Sequence, residues 1–198
     1  MSRLILVRHA EPEEDARGRC YGSLDVGLSA AGREHAERLA AALAGLGPVA
    51  VHTSPRRRAR ETAEPIGAAC GLEPVVDRDL REIDFGDFEG RTYEEIERSE
   101  PELFRVWMET PTLVCFPGGE SYADLKARAA RAIERARAAH PGGPVVVVSH
   151  GGPIRAALAA WLDLPDEAIF RLDQRYCGIT LVDFLGEVPL IRLVNGEP

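Results

Sequence analysis

The chain has 198 residues, 45% of them hydrophobic and 28% charged, which fits one globular domain whose core needs no disulfide or metal staple. Its net charge is −8, from 32 acidic and 24 basic residues, and this excludes a protein whose whole surface attracts nucleic acid, while a local basic pocket remains allowed. Lys126 is the only lysine and every other basic residue is arginine, a side chain that grips phosphate or carboxylate bidentately, although compositional bias gives the same excess.

Cys20, Cys70, Cys115 and Cys177 form no Cys-x-x-Cys pair and read as reduced thiols of a cytoplasmic protein, not as a disulfide framework or zinc site. The apolar run Leu4 to Val7 stops at Arg8, too short for a signal-peptide core or a membrane span.

Residues 3 to 7 read as a buried strand that delivers Arg8 and His9, and residues 11 to 28, with four glycines and prolines, read as loop. Ser29 caps a predicted helix to about Ala44. A strand follows at 49 to 52. Ser54 as cap and Pro55 as first helical residue predict a helix over 56 to 69, with Arg58 in its first turn. After a short strand at 74 to 76 comes a turn-rich stretch to Gly90, then helices at about 92 to 98 and 101 to 109. Ser121 and Asp124 form a capping-box pattern for a helix to about Ala139. The strand Val145 to Val148 delivers His150, Gly151 and Gly152 open a helix to about Leu162, and 179 to 184 with 190 to 194 read as a closing hairpin.

Alternating strands and helices predict an α/β fold, a three-layer α/β/α sandwich with a mostly parallel central sheet, in one domain over 1–198 with 91–118 as a small lid. In such a sheet the junctions at Arg8-His9, Ser54 to Arg58 and His150-Gly151-Gly152 share one edge, where helix N-termini favour anions. Each residue alone has a plain reading: a strand-end histidine is more often a structural hydrogen-bonding group, and an arginine in a first helical turn is usually solvated. Two histidines and two arginines at three equivalent junctions argue for a phosphoryl site.

Leu6-Val7-Arg8-His9-Ala10-Glu11 resembles the signature of the histidine phosphatase superfamily, in the branch that includes cofactor-dependent phosphoglycerate mutases. The similarity continues through Gly22 to Ser29, Thr53 to Ala63, Leu80 to Gly86, Pro117 to Ser121 and Ser149 to Gly152, in the family's order. The resemblance implies a phosphoglycerate mutase-like fold with His9 as the nucleophile that accepts the phosphoryl group. It implies that Arg8, Arg58 and His150 bind that group's oxygens, and that Glu82 donates the proton to the leaving oxygen before activating water as a carboxylate. Tyr21, Gly22 and Ser23 fall where relatives contact substrate, as does Gly151 at the helix start. Without the resemblance Glu82 would read as a loop carboxylate paired with Arg81 or Arg91.

No metal or cofactor is expected, since arginine and histidine supply the positive charge, and a zinc hydrolase built on His9, His150 and Glu82 would set two arginines against the ion. The expected partner is a small phosphoester substrate, with no nucleic acid and no membrane, and a homodimer is left open. Arg105-Val106-Trp107-Met108-Glu109 lacks the basic pair that mutases of the family carry beside a tryptophan, which favours a phosphomonoester hydrolase over a phosphoglycerate mutase. A non-catalytic phospholigand-binding module would not need Glu82. Gly22 to Ser29 and Phe116 to Ser121 look most like the alpha-ribazole phosphatase-like group, which makes alpha-ribazole 5′-phosphate a candidate substrate. Asp15 stands where an asparagine is common in the family; either it points away from the site or it meets a hydroxyl or cationic part of the substrate. Phe104, Trp107, Met108 and Phe116 are candidates to wall a leaving-group pocket, with Phe104 and Trp107 read first as core.

Overall fold

The computed structural model describes residues 2–197. Strands β1 (Ser2–Arg8), β2 (Ala50–Thr53), β3 (Val75–Val76), β4 (Pro144–Ser149), β5 (Ile179–Leu185) and β6 (Val188–Gly196) form one sheet in the order β3-β2-β4-β1-β5-β6. Strands β1 to β4 run parallel, and β5 and β6 are each antiparallel to the strand before them in the sheet. The mostly parallel sheet is therefore as expected. Continuous apolar runs place β1 and β4 in the middle, because a central parallel strand is buried on both faces.

Side-chain alternation divides the core into two layers. Ile5, Val7, Val51, Val146 and Val148 meet helices α1 (Ala30–Ala44) and α2 (Arg57–Cys70) through Leu39, Leu43 and Ile66. Leu4, Leu6, Val145 and Val147 meet α5 (Tyr122–Ala139) and α6 (Gly151–Trp161) through Ile133, Ile154 and Leu158. Between these layers in sequence, α3 (Tyr93–Ser99) and α4 (Pro101–Glu109) carry their own cluster of Phe88, Ile96, Trp107, Val114 and Phe116.

Helix starts follow the predicted caps with one exception. Ser29 accepts the Gly32 N–H at 2.9 Å, and Ser121 with Asp124 forms a complete capping box. The exception is α2, which begins at Arg57 with Arg56 in the cap position and no side-chain cap. Ser54 Oγ instead accepts the Arg56 N–H at 3.2 Å and meets His150, so neither Ser54 nor Pro55 takes its predicted place. The stretch between α6 and β5, which carries no periodic signal, contains a 3₁₀ helix at Asp166–Arg171 and brings Gln174 to Cys177 beneath the end of β1.

Arg128 on α5 is buried and fixes the loop that carries Glu82. Its guanidinium donates to the carbonyls of Asp79 (2.9 Å), Arg81 (2.6 Å) and Glu82 (2.8 Å) and pairs with Glu120 at 2.7 Å. Breaking a buried pair from one side leaves an uncompensated charge, so Arg128→Met is expected to cost about 3 kcal/mol in denaturant unfolding. Adding Glu120→Gln should recover part of that loss; a cost below about 1 kcal/mol for the single variant would show that the pair is not structural.

Candidate active site

The carboxyl ends of β1, β2 and β4 meet where three chain segments turn into loop or helix. His9 leaves β1 and His150 leaves β4, and their ring centroids lie 5.0 Å apart. Arg8 ends β1, and Arg58 enters from the first turn of α2. The strands that deliver the two histidines are neighbours, paired in parallel with Arg8 opposite Ser149.

The His9 ring is oriented by its own backbone: Nδ1 lies 2.7 Å from Ala10 O, a carbonyl that can only accept, so the proton sits on Nδ1 and the Nε2 lone pair is free. Burial, then Arg58 and Arg8, hold the His9 pKa well below the usual histidine range. Burial and the same cations do so for His150. His150 Nε2 meets Ser54 Oγ at 2.7 Å while its Nδ1 is buried without a partner.

Arg58 is fully buried yet has no carboxylate partner among the described residues. Its terminal nitrogens donate to Leu24 O (2.9 Å) and Gly22 O (3.0 Å), and burial lowers its pKa to about 10. Arg8 donates to Gln174 O and stacks on Tyr176, 4.2 Å from the ring centroid. The Nε atoms of both arginines are buried and unpartnered. Buried donors without acceptors around a neutral imidazole describe a site shaped for an oxyanion.

Glu82 lines the same small space as His9 and pairs with neither Arg81 nor Arg91. Its two oxygens accept the N–H groups of Ile83 (3.0 Å) and Gly152 (3.2 Å), the second at the start of α6. Arg81 is taken by Glu120, and Arg91 by the carbonyl of Glu95 and by Ser99. A Cβ on Gly152 would lie 2.2 Å from Glu82 Oε1, so only glycine allows this approach.

Two connected spaces adjoin these groups. A small one of about 140 Å³ is lined by Arg8, His9, Tyr21, Gly22, Arg58 and Glu82. A cleft of about 510 Å³ shares Glu82, Phe85 and Tyr93 with it and runs between Trp107, Met108, Phe116, Tyr122 and Arg155. Trp107 is thus both core and wall, Phe104 packs in the core cluster alone, and Met108 and Phe116 wall the cleft.

The structure brings Arg8, His9, Arg58, Glu82 and His150 together. Tyr21 and Gly22 line the small space, whereas Ser23 turns its backbone N–H to Glu89 Oε1 at 2.7 Å and does not line it. Gly151 lies between Arg8 and Arg155. Asp15 is exposed in a 3₁₀ turn at Glu14–Ala16 and lines neither space. Sequence reasoning missed Tyr176, whose hydroxyl meets that of Tyr21 at 3.1 Å, and Arg128 and Arg155. Tyr176 lies in a segment without periodicity, but Arg155, four residues after Gly151, was findable as a cation on the helix that starts at the site.

Residues 4–197 match the model of the histidine phosphatase superfamily (branch 1). The chain belongs to this superfamily. It is 41% identical over 162 residues to phosphoserine phosphatase 1 of Hydrogenobacter thermophilus, covering 82% of this chain and 77% of that protein. It is 36% identical over 196 residues to the bifunctional protein Rv2228c of Mycobacterium tuberculosis, covering 98% of this chain but only 54% of that protein, so the chain spans about half its length. Among solved structures, the alpha-ribazole phosphatase of Shigella flexneri superposes with a TM-score of 0.88 at 25% identity, covering 98% of this chain and 96% of the other. Its relatives within this superfamily include phosphatases.

Two outcomes are expected. Gly152→Ala should displace Glu82 and lower kcat at least about tenfold on an alkyl phosphate, with little change in fold by circular dichroism. Both histidines stay neutral in the fold where an unfolded imidazole, with a pKa near 6.5, takes up a proton. Below about pH 6.5 the unfolded chain therefore binds more protons, and stability falls with pH by up to about 1.4 kcal/mol per unit for each histidine. His150→Asn should flatten that slope in thermal unfolding; an unchanged slope would assign acid sensitivity elsewhere.

Proposed function

We propose that this protein is a phosphomonoester hydrolase acting through a phosphohistidine on His9, with a small phosphorylated metabolite as substrate. The observation that carries this reading is His9 itself: a neutral imidazole with Nδ1 committed to Ala10 O and Nε2 free, among the unpartnered Nε donors of Arg8 and Arg58 and the unpartnered Nδ1 of His150. In the first step Nε2 attacks phosphorus and the ester P–O bond breaks. Arg8, Arg58 and His150 offset the charge on the equatorial oxygens, and Glu82 protonates the leaving oxygen. In the second, Glu82 as carboxylate takes a proton from water, the hydroxide oxygen bonds to phosphorus, and the P–N bond breaks to release phosphate and free His9. The positive charge comes from side chains, so the reading includes no metal ion or other cofactor.

Likeness to the Hydrogenobacter and Shigella enzymes supports phosphoserine and alpha-ribazole 5′-phosphate as candidate substrates. Hydrolysis is favoured over mutase chemistry because Arg105 is turned to Glu102 and Glu109 and no cation of residues 91–118 lines the cleft for a second phosphate. A binding module would have no use for a carboxylate set across from the nucleophile. The unbridged cysteines fit a reducing cytoplasm, and no helix among the described residues is long and apolar enough to cross a membrane.

The enzyme is expected to hydrolyse p-nitrophenyl phosphate in the presence of EDTA, and His9→Ala to lose at least about a thousandfold in rate. Glu82→Gln should slow an alkyl phosphate far more than p-nitrophenyl phosphate, whose leaving group needs no proton. Activity that vanishes with chelator, or that survives in His9→Ala, overturns the mechanism. With 3-phosphoglycerate and a bisphosphoglycerate primer, phosphate release should exceed isomerisation.

A further inference from the structure

Arg155 is a cation that the steps above leave unused. It projects from α6 one turn beyond the His150 junction, donates Nε to Leu172 O at 2.8 Å, and forms no ion pair among the described residues. A Cβ on Gly151 would lie 2.9 Å from its Nη1 and 3.9 Å from Arg8 Nε, so it borders the phosphoryl site without belonging to it. In the same cleft Tyr122 is 95% buried, only 5% of it being exposed, and its hydroxyl has no hydrogen-bond partner. A buried hydroxyl without an acceptor costs free energy unless something brings one. Apart from Glu82 and Tyr93 at the side shared with the phosphoryl site, the remaining walls are largely apolar, with Ile83, Phe85, Trp107, Phe116, Leu125 and Ile169 among them.

We propose that Arg155 and Tyr122 form a carboxylate subsite for the leaving group, so that the substrate is a phosphomonoester whose alcohol carries an apolar or aromatic body and one carboxylate. This rests on the phosphatase reading and names the substrate class it serves. One guanidinium fork and one phenol offer donors to two coplanar oxygens and compensate a single charge, whereas the dianionic phosphoryl group next door meets two arginines and two histidines. Burial, with Arg8 adding to it, lowers the Arg155 pKa against the pull of Glu82 and Asp173. Burial likewise raises the Tyr122 pKa, which keeps its hydroxyl a donor.

The test compares 3-carboxyphenyl phosphate with phenyl phosphate on the wild type, Arg155→Met and Tyr122→Phe. The wild type should prefer the carboxylated ester in kcat/KM by at least about tenfold, the range of a hydrogen bond to a charged group. Arg155→Met should remove most of that preference, mainly through KM. Tyr122→Phe, which gives up no bond within the protein, should reduce it several-fold. Binding of 3-hydroxybenzoate against phenol, read by tryptophan fluorescence, repeats the comparison without turnover. Hydrolysis of neither ester with selective binding of the hydroxybenzoate defeats the phosphatase mechanism and leaves the subsite standing. Equal use and equal binding of the two compounds, or a loss in Arg155→Met that is the same for both esters, overturns the subsite.

Discussion

Arg58 is the side chain on which the site turns. A guanidinium with no exposed surface and no carboxylate partner is held by two backbone carbonyls, those of Gly22 and Leu24, which satisfy hydrogen bonds without cancelling charge. Burial first, and then this charge, hold the pKa of His9 and of His150 well below the usual histidine range and keep both rings neutral. Under the proposed mechanism an incoming dianion supplies the missing counter-charge, and neutral His9 is the nucleophile that reaches it.

The loops hold this arrangement because their polar groups are committed elsewhere. Glu89 ties the N–H groups of Ser23 and Phe85 together, which fixes the segment that supplies the Gly22 and Leu24 carbonyls. Arg128 and Glu120 do the same for the segment that carries Glu82. The carboxylate that faces His9 is therefore placed by side chains far from it in sequence, and their substitution would be felt as lost activity as well as lost stability.

Beside the fixed phosphoryl site lies a cleft whose walls come from α4, α5, α6 and the 3₁₀ turn at Asp166–Arg171. On the proposed reading the phosphoryl site asks only for a phosphoester, so discrimination among substrates falls to this cleft. The aromatic cluster of segment 91–118 supplies part of that cleft's wall through Trp107 and Phe116.

The sequence by itself determined the α/β layering and the three loaded junctions. Continuous apolar strands, caps such as Ser29 and Ser121, and a right-handed crossover rule are local or nearly local signals, and they put Arg8, His9, Arg58 and His150 at one sheet edge. The motif around Glu82 was legible only through resemblance, since a loop carboxylate beside Arg81 has an ordinary ion pair as its simplest reading. Tertiary structure decided that Arg81 belongs to Glu120, that Gly152 receives Glu82, and that Ser54 serves His150 instead of capping α2. It alone brought Tyr176, Arg128, Arg155 and Tyr122 to the site. Those side chains act across long sequence separations through hydrogen bonds and packing, and no periodicity in a chain encodes which distant partner a buried donor will find.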